Sequence, residues 1–223
     1  MATVSADIKK KCLVIPDHSG YDTNMFNIPV KYANFLTSIL IPNGLVKDRT
    51  QKLAVDILSS LPETKSLVVL CVLKGGYKFC SELVDAMERY ICSCEINMSV
   101  KVEFIRLKSY HNISSTGEVE VIGLSDLSHL TGKDILIVED IIDTGRTMTK
   151  ALKLLKEYSP NTVQCASLLL KRTDKSCGYV PEFIGFSCPD EFVLGYGLDY
   201  NEFFRDLPHI GIINEEGIKH FAV

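Results

Sequence analysis

Ile135-Leu136-Ile137-Val138-Glu139-Asp140-Ile141-Ile142-Asp143-Thr144-Gly145-Arg146-Thr147 is the run from which the rest of the chain can be read. Its first four residues are apolar and mostly β-branched, which predicts a short strand covered on both faces, as in a parallel sheet. Two acids follow, then two apolar residues, then a small-residue turn carrying a third acid. Beyond the turn, Met148, Ala151, Leu152 and Leu155 mark one face of a helix. Strand, loop and helix in that order predict one unit of an α/β fold.

The same grammar recurs to either side. Leu67 to Leu73 is a second continuous apolar run, followed by Phe79, Leu83, Met87 and Ile91 at helical spacing. Val163 to Leu170 reads as a third buried strand. Asp48 is expected to precede an earlier helix whose apolar face is Leu53, Ala54, Ile57, Leu58 and Leu61. Val102 to Leu107 and Glu118 to Ile122 read as strands flanking the polar segment Lys108 to Gly117, a mobile hairpin loop. After Lys171 the pattern changes. Gly178, Pro181, Gly185, Pro189, Gly195 and Gly197 punctuate short strands without a long helix. The expectation is one domain over 1–223: a central parallel sheet flanked by helices, with its core at roughly 40–175. A small irregular hood comes from the N-terminal segment and roughly 176–223.

Composition bounds the function. The chain has 223 residues, 24 basic and 28 acidic, for a net charge of -4, which argues against a nucleic-acid coat. With 46% hydrophobic and 23% charged residues it is an ordinary globular chain. The apolar run Leu67 to Leu73 is far shorter than the roughly 18 to 20 residues of a membrane-crossing helix. Neither end reads as a targeting address, so the cytosol is the expected compartment. Cys71, Cys80, Cys165 and Cys188 sit in apolar segments as small hydrophobes. Cys92 and Cys94 lack the second pair or the histidines of a zinc site, and the five histidines show no metal-binding spacing.

The chemistry gathers at the end of the first strand. In parallel α/β sheets ligands bind at the carboxyl ends of strands, where a helix N-terminus offers free amides and partial positive charge to an anion. Asp143 to Thr147 thus reads as a phosphate cradle, with the Thr144 and Thr147 hydroxyls as extra donors. Acids beside a phosphate suit a sugar phosphate. Glu139 and Asp140 can accept from ribose hydroxyls and help hold a hydrated Mg2+. Three acids at one strand end exceed what helix capping needs. An aspartic-protease reading of Asp143-Thr144-Gly145 lacks the second carboxylate loop, and a Walker reading lacks the Gly-Lys-Ser/Thr ending.

The acid-acid, apolar-apolar, Asp-Thr-Gly run resembles the phosphoribosyl-diphosphate motif of type I phosphoribosyltransferases. Three further stretches are similar to the hypoxanthine-guanine phosphoribosyltransferase subfamily: Lys74-Gly75-Gly76, Arg106-Leu107-Lys108-Ser109-Tyr110, and Gly195 through Asp206. The resemblance runs from about Gly20 to about Gly217. It implies an animal-type, Mg2+-dependent enzyme that makes IMP or GMP from a 6-oxopurine and 5-phosphoribosyl 1-diphosphate, through a transition state with oxocarbenium character. It also implies a homodimer or homotetramer.

Carried over residue by residue, the resemblance assigns Glu139 and Asp140 to the ribose hydroxyls and Asp143, Thr144, Gly145, Arg146 and Thr147 to the 5-phosphate. Asp143 is in addition the acid/base at purine N7. Lys74, on a cis peptide after Leu73, Gly75 and Arg205 take the pyrophosphate. Lys171, Phe192 and Val193 meet the purine: Lys171 donates to the exocyclic O6, Phe192 stacks, and the Val193 backbone bonds the base edge. Asp199 lies near the purine and is a ligand of the metal, with Glu139 and Asp140 contributing through water or ribose hydroxyls. Ser109 and Tyr110 belong to a loop that closes over the site and excludes water. Arg146 stands where lysine is frequent, and Gly197 replaces an alanine, which is expected to loosen the cap. A rival reading is a non-catalytic sensor of phosphoribosyl diphosphate on the same fold. It needs the phosphate cradle but not Asp143, Lys171 and Asp199 together. Xanthine and orotate are the competing bases within the enzyme class.

Overall fold

The computed structural model describes residues 6–61, 64–109, 119–123 and 126–223. In chain order the elements are α1 (Ala6–Lys11), β1 (Leu13–Val14), β2 (Leu36–Ile41), α2 (Asn43–Ser59), β3 (Ser66–Val72), α3 (Tyr77–Ser93), β4 (Ser99–Ser109) and β5 (Val119–Ile122). They continue with β6 (Asp134–Ile142), α4 (Arg146–Lys156), β7 (Thr162–Lys171), β8 (Phe183–Cys188), β9 (Val193–Leu194), β10 (Ile210–Ile213) and α5 (Glu215–His220). The main sheet has 7 strands in the order β1-β8-β7-β6-β3-β4-β5. All neighbours pair in parallel except β5, which runs antiparallel to β4.

Strand periodicity sorts the core into two layers, because successive side chains point to opposite faces. Leu67, Val69 and Cys71 of β3 and Leu136 and Val138 of β6 pack with α2 and α3. Val68, Leu70 and Val72, with Ile135 and Ile137, pack instead with Met148 and Leu155 of α4. Both faces are covered, which is why these strands are unbroken apolar runs. Cys71, Cys80, Cys165 and Cys188 are buried free thiols in these layers, whereas Cys92 and Cys94 are exposed.

The hood requires correction. Its centre is a second, antiparallel sheet of 3 strands, β2-β10-β9, rather than irregular chain. Tyr32, Leu36, Ile39, Leu194, Phe204, Leu207, Ile213 and Phe221 close a separate small core beneath it. The boundary also moves, since β8 and the N-terminal β1 both lie in the main sheet. Glycines and prolines around β8 made it read as hood, yet parallel pairing with β7 buries Ile184, Phe186 and Cys188 completely. Asp48 is likewise interior to α2. That helix starts at Asn43, behind Pro42, whose fixed φ suits a helix entry.

Candidate active site

Four strand ends and one hood loop build the site. At the end of β6 the chain turns through Asp143, Thr144 and Gly145 into α4. Gly145 is the N-cap at φ 78, with no side-chain cap. A Cβ there would lie 2.9 Å from Tyr179 Cβ and 3.2 Å from Cys177 Sγ, so the left-handed turn and the crowding both require glycine. This turn and the first residues of α4 line a cavity of 230 Å³. Glu139, Asp143, Thr144 and Thr147 line it, with Val72 and Leu107 as its apolar wall. Leu107 is the base of the hairpin arm formed by β4 and β5. Tyr110 and the side chain of Ser109 fall outside the described residues.

Glu139 and Asp140 share the strand end but have different neighbours. Glu139 lines the phosphate cavity, while Asp140 turns toward the loop after β3, where its Oδ2 would be 1.5 Å from a Cβ on Gly75. The Asp140 N–H donates to Glu139 Oε1 at 3.1 Å, and the Ile141 N–H donates to Asp140 Oδ1 at 2.7 Å. Burial pushes the Glu139 carboxyl well above the usual carboxylate range, and the Asp140 charge beside it pushes the same way. Burial also raises Asp140, against hydrogen bonds that favour its ionised form. Two carboxyls are thus buried side by side at this strand end, where burial and their mutual repulsion both disfavour ionising the pair.

The unfolded chain ionises a carboxyl at about pH 4, before the folded protein does, so Glu139 lowers stability as pH rises from there through its raised native value. Glu139→Gln keeps an oxygen acceptor for the Asp140 N–H and removes the charge. The ligand-free variant should melt about 2–4 °C higher near neutral pH and no higher at about pH 4. An unaltered melting temperature near neutrality would show that the native Glu139 carboxyl ionises at the same pH as in the unfolded chain.

Lys171, at the end of β7, reaches back to Asp143, with Nζ 3.7 Å from Oδ2. The lysine side chain is 13% exposed and the aspartate 55%, so the ammonium sits inside and the carboxylate faces the opening. Phe192 is 49% exposed, its ring edge-on to Tyr200 at 5.4 Å. Val193 is buried at the start of β9, paired with Ile212.

The opposite wall carries two cations, Lys74 and Arg205, each paired with acids of the chain. The Leu73-Lys74 peptide is cis, and Lys74, Gly75 and Gly76 lead into α3. Gly197 abuts this loop at φ 102, where a Cβ would lie 2.5 Å from Gly75 O. The glycine thus permits close contact between cap and loop, contrary to the expected loosening. Arg205 Nη1 donates to Gly197 O at 2.8 Å, and its Nη2 lies 2.8 Å from Asp199 Oδ1. Glu202, to which the sequence reading gave no role, joins this group. Nothing in its residue type distinguishes it from a solvated surface acid.

An uncapped helix N-terminus beside the acids of β6, with a lysine- and glycine-bearing loop after the neighbouring β3, is the arrangement of an α/β protein with an anion site at its strand ends. Residues 38–201 match the family described as "Phosphoribosyl transferase domain". The chain is 52% identical over 205 residues to the hypoxanthine-guanine phosphoribosyltransferase of Mus musculus, covering 92% of this chain and 94% of that one. It is 50% identical over 217 residues to the Homo sapiens protein, covering 97% of each. Its fold matches the crystal structure of the Schistosoma mansoni enzyme in complex with IMP, with a TM-score of 0.81 and 40% identity over 95% of this chain and 99% of that one. The chain belongs to the phosphoribosyltransferase family, among its hypoxanthine-guanine members.

Proposed function

We propose that this protein is a purine-salvage transferase. It converts hypoxanthine or guanine and 5-phosphoribosyl 1-diphosphate to IMP or GMP and pyrophosphate. The carrying observation is the convergence of Lys171 and Asp143 at the mouth of the phosphate loop, 3.7 Å apart. One is a donor for a base oxygen and the other a proton acceptor. A site that only sensed phosphoribosyl diphosphate would need neither.

The α4 amides and the turn from Asp143 to Thr147 bind the 5-phosphate, and Glu139 and Asp140 accept from the ribose hydroxyls. Their negative charge stabilises positive charge developing on the ring as the bond from C1 to pyrophosphate breaks. Lys74, Gly75 and Arg205 receive the leaving pyrophosphate. Lys171 donates to O6, Phe192 stacks on the base, the Val193 backbone bonds its edge, and Asp143 exchanges the proton at N7. Ser109 and Tyr110 cover the reaction.

The residues present fit Mg2+. Among the described residues no three acidic, histidine or cysteine side chains converge to hold a metal unaided. Mg2+ is ordinarily held by one or two carboxylates plus substrate phosphates. Asp199 would supply one carboxylate, with Glu139 and Asp140 acting through water or the ribose. When bound, the ion neutralises charge on the diphosphate.

We take the enzyme to act in the cytosol as a homodimer or homotetramer. Two observations support this: no described helix is long and apolar enough to cross a membrane, and Tyr77 and Phe104, exposed by 55% and 47%, stand beside the Lys74 loop.

The test is pyrophosphate release with hypoxanthine, guanine, xanthine, adenine and orotate in parallel, with and without chelator. Turnover with the first two, lost on chelation, is expected. Silence in every lane from folded protein that still binds phosphoribosyl diphosphate would favour the sensor. Lys171→Ala should reduce the preference for hypoxanthine over adenine by about tenfold or more, because a lost donor no longer rejects the amino group. Undiminished selectivity would transfer base recognition to the backbone at Val193.

A further inference from the structure

Lys74 and Arg205, the cations assigned above to pyrophosphate, are already paired with an anion of the chain itself. Lys74 Nζ lies 2.8 Å from Glu202 Oε2, and Arg205 Nη2 lies 3.2 Å from Glu202 Oε1. One carboxylate thus spans, with its two oxygens, a lysine from the loop before α3 and an arginine from the cap.

The backbone holds Glu202 in that place. Its N–H donates to Asp199 Oδ2 at 2.8 Å, and the Asn201 side chain donates to Phe221 O at 2.8 Å. Tyr200 and Phe203 exchange backbone hydrogen bonds of 3.2 and 3.0 Å across the turn. Asn201 and Glu202 both lie in the left-handed region, at φ 49 and 70. Residues with side chains occupy that region when their surroundings determine it. The carboxylate is therefore presented to the two cations by a built turn.

We propose that Glu202 is the internal counter-ion of the pyrophosphate site: it occupies Lys74 and Arg205 when the site is empty and must be displaced by a diphosphate. It thereby weakens pyrophosphate binding and hastens pyrophosphate release. The proposal rests on the reading that Lys74 and Arg205 bind pyrophosphate. The Lys74 and Glu202 side chains are 53% and 63% exposed, so the pair is weak enough in water for a more highly charged anion to displace. As the anion leaves, the carboxylate returns to the cations and opposes rebinding. Product release sets the turnover of many enzymes.

The test is calorimetric titration of the full-length protein with pyrophosphate in Mg2+, alongside stopped-flow release, for wild type, Glu202→Gln, Glu202→Asp and Lys74→Ala. Glu202→Gln should bind pyrophosphate about threefold to tenfold tighter and release it correspondingly more slowly. It should also lower KM for phosphoribosyl diphosphate and, where release limits turnover, kcat. Glu202→Asp, one methylene shorter, should fall between and serves if the glutamine variant folds poorly. Unchanged or weaker binding in Glu202→Gln, with Lys74→Ala still weakening it, would overturn the counter-ion role alone. Lys74→Ala without effect would overturn the underlying pyrophosphate assignment.

Discussion

Asp143→Asn should lower kcat by about 10²–10⁴-fold while leaving the affinity for phosphoribosyl diphosphate within a few-fold of wild type. Asparagine preserves the shape of the turn, so Gly145 stays at its left-handed φ and the amides of α4 remain available to the 5-phosphate. What it loses is the capacity to take or give a proton. It also loses the charge 3.7 Å from Lys171 Nζ. The split between the two constants is therefore the informative readout. Loss confined to the transition state lowers kcat, whereas a damaged phosphate loop would raise KM. Single-turnover rates with titrated substrate would separate them, and an unchanged chemical step would remove Asp143 from proton transfer.

Gly75→Ala should be as damaging, through geometry rather than charge. The new methyl would lie 1.5 Å from Asp140 Oδ2 and 2.6 Å from its Cγ, so either the carboxylate or the loop must move. Asp140 is held by the Ile141 N–H, and Gly75 O is crowded from the other side by Gly197. We expect kcat/KM to fall by at least about 10²-fold and stability by about 1–3 kcal/mol. Gly44→Ala is the matched control. Nothing lies within 4 Å of its Cβ position, and alanine is the better helix former, so it should be neutral or slightly stabilising. Near-full activity in Gly75→Ala would mean that the two loops separate readily, and the close approach would then carry no function.

Much of the fold was legible because its signals are local. Unbroken apolar runs at Leu67 and Ile135 mark strands buried on both faces, and Phe79, Leu83 and Met87 mark a helix, wherever those elements are placed. The hood was read less well. Ile184 and Phe186 sit among glycines and prolines, and what makes β8 a core strand is pairing with β7. Asp48 looked like a cap because its residue type favours one, but Pro42 already opened the helix. The glycine at position 197 looked like looseness, yet a neighbour absent from its local sequence, Gly75 O, makes it a fitted contact.

The sequence by itself determined the α/β class, the small-residue turn before α4 and the family motif, since each depends on residues within one turn or strand of each other. Only the tertiary structure decided that Lys171 meets Asp143, that Gly75 receives the Asp140 carboxylate, and that Glu202 spans Lys74 and Arg205. Those partners lie on different elements, and their distances are set by sheet order and the docking of the hood. Short-range periodicity encodes neither.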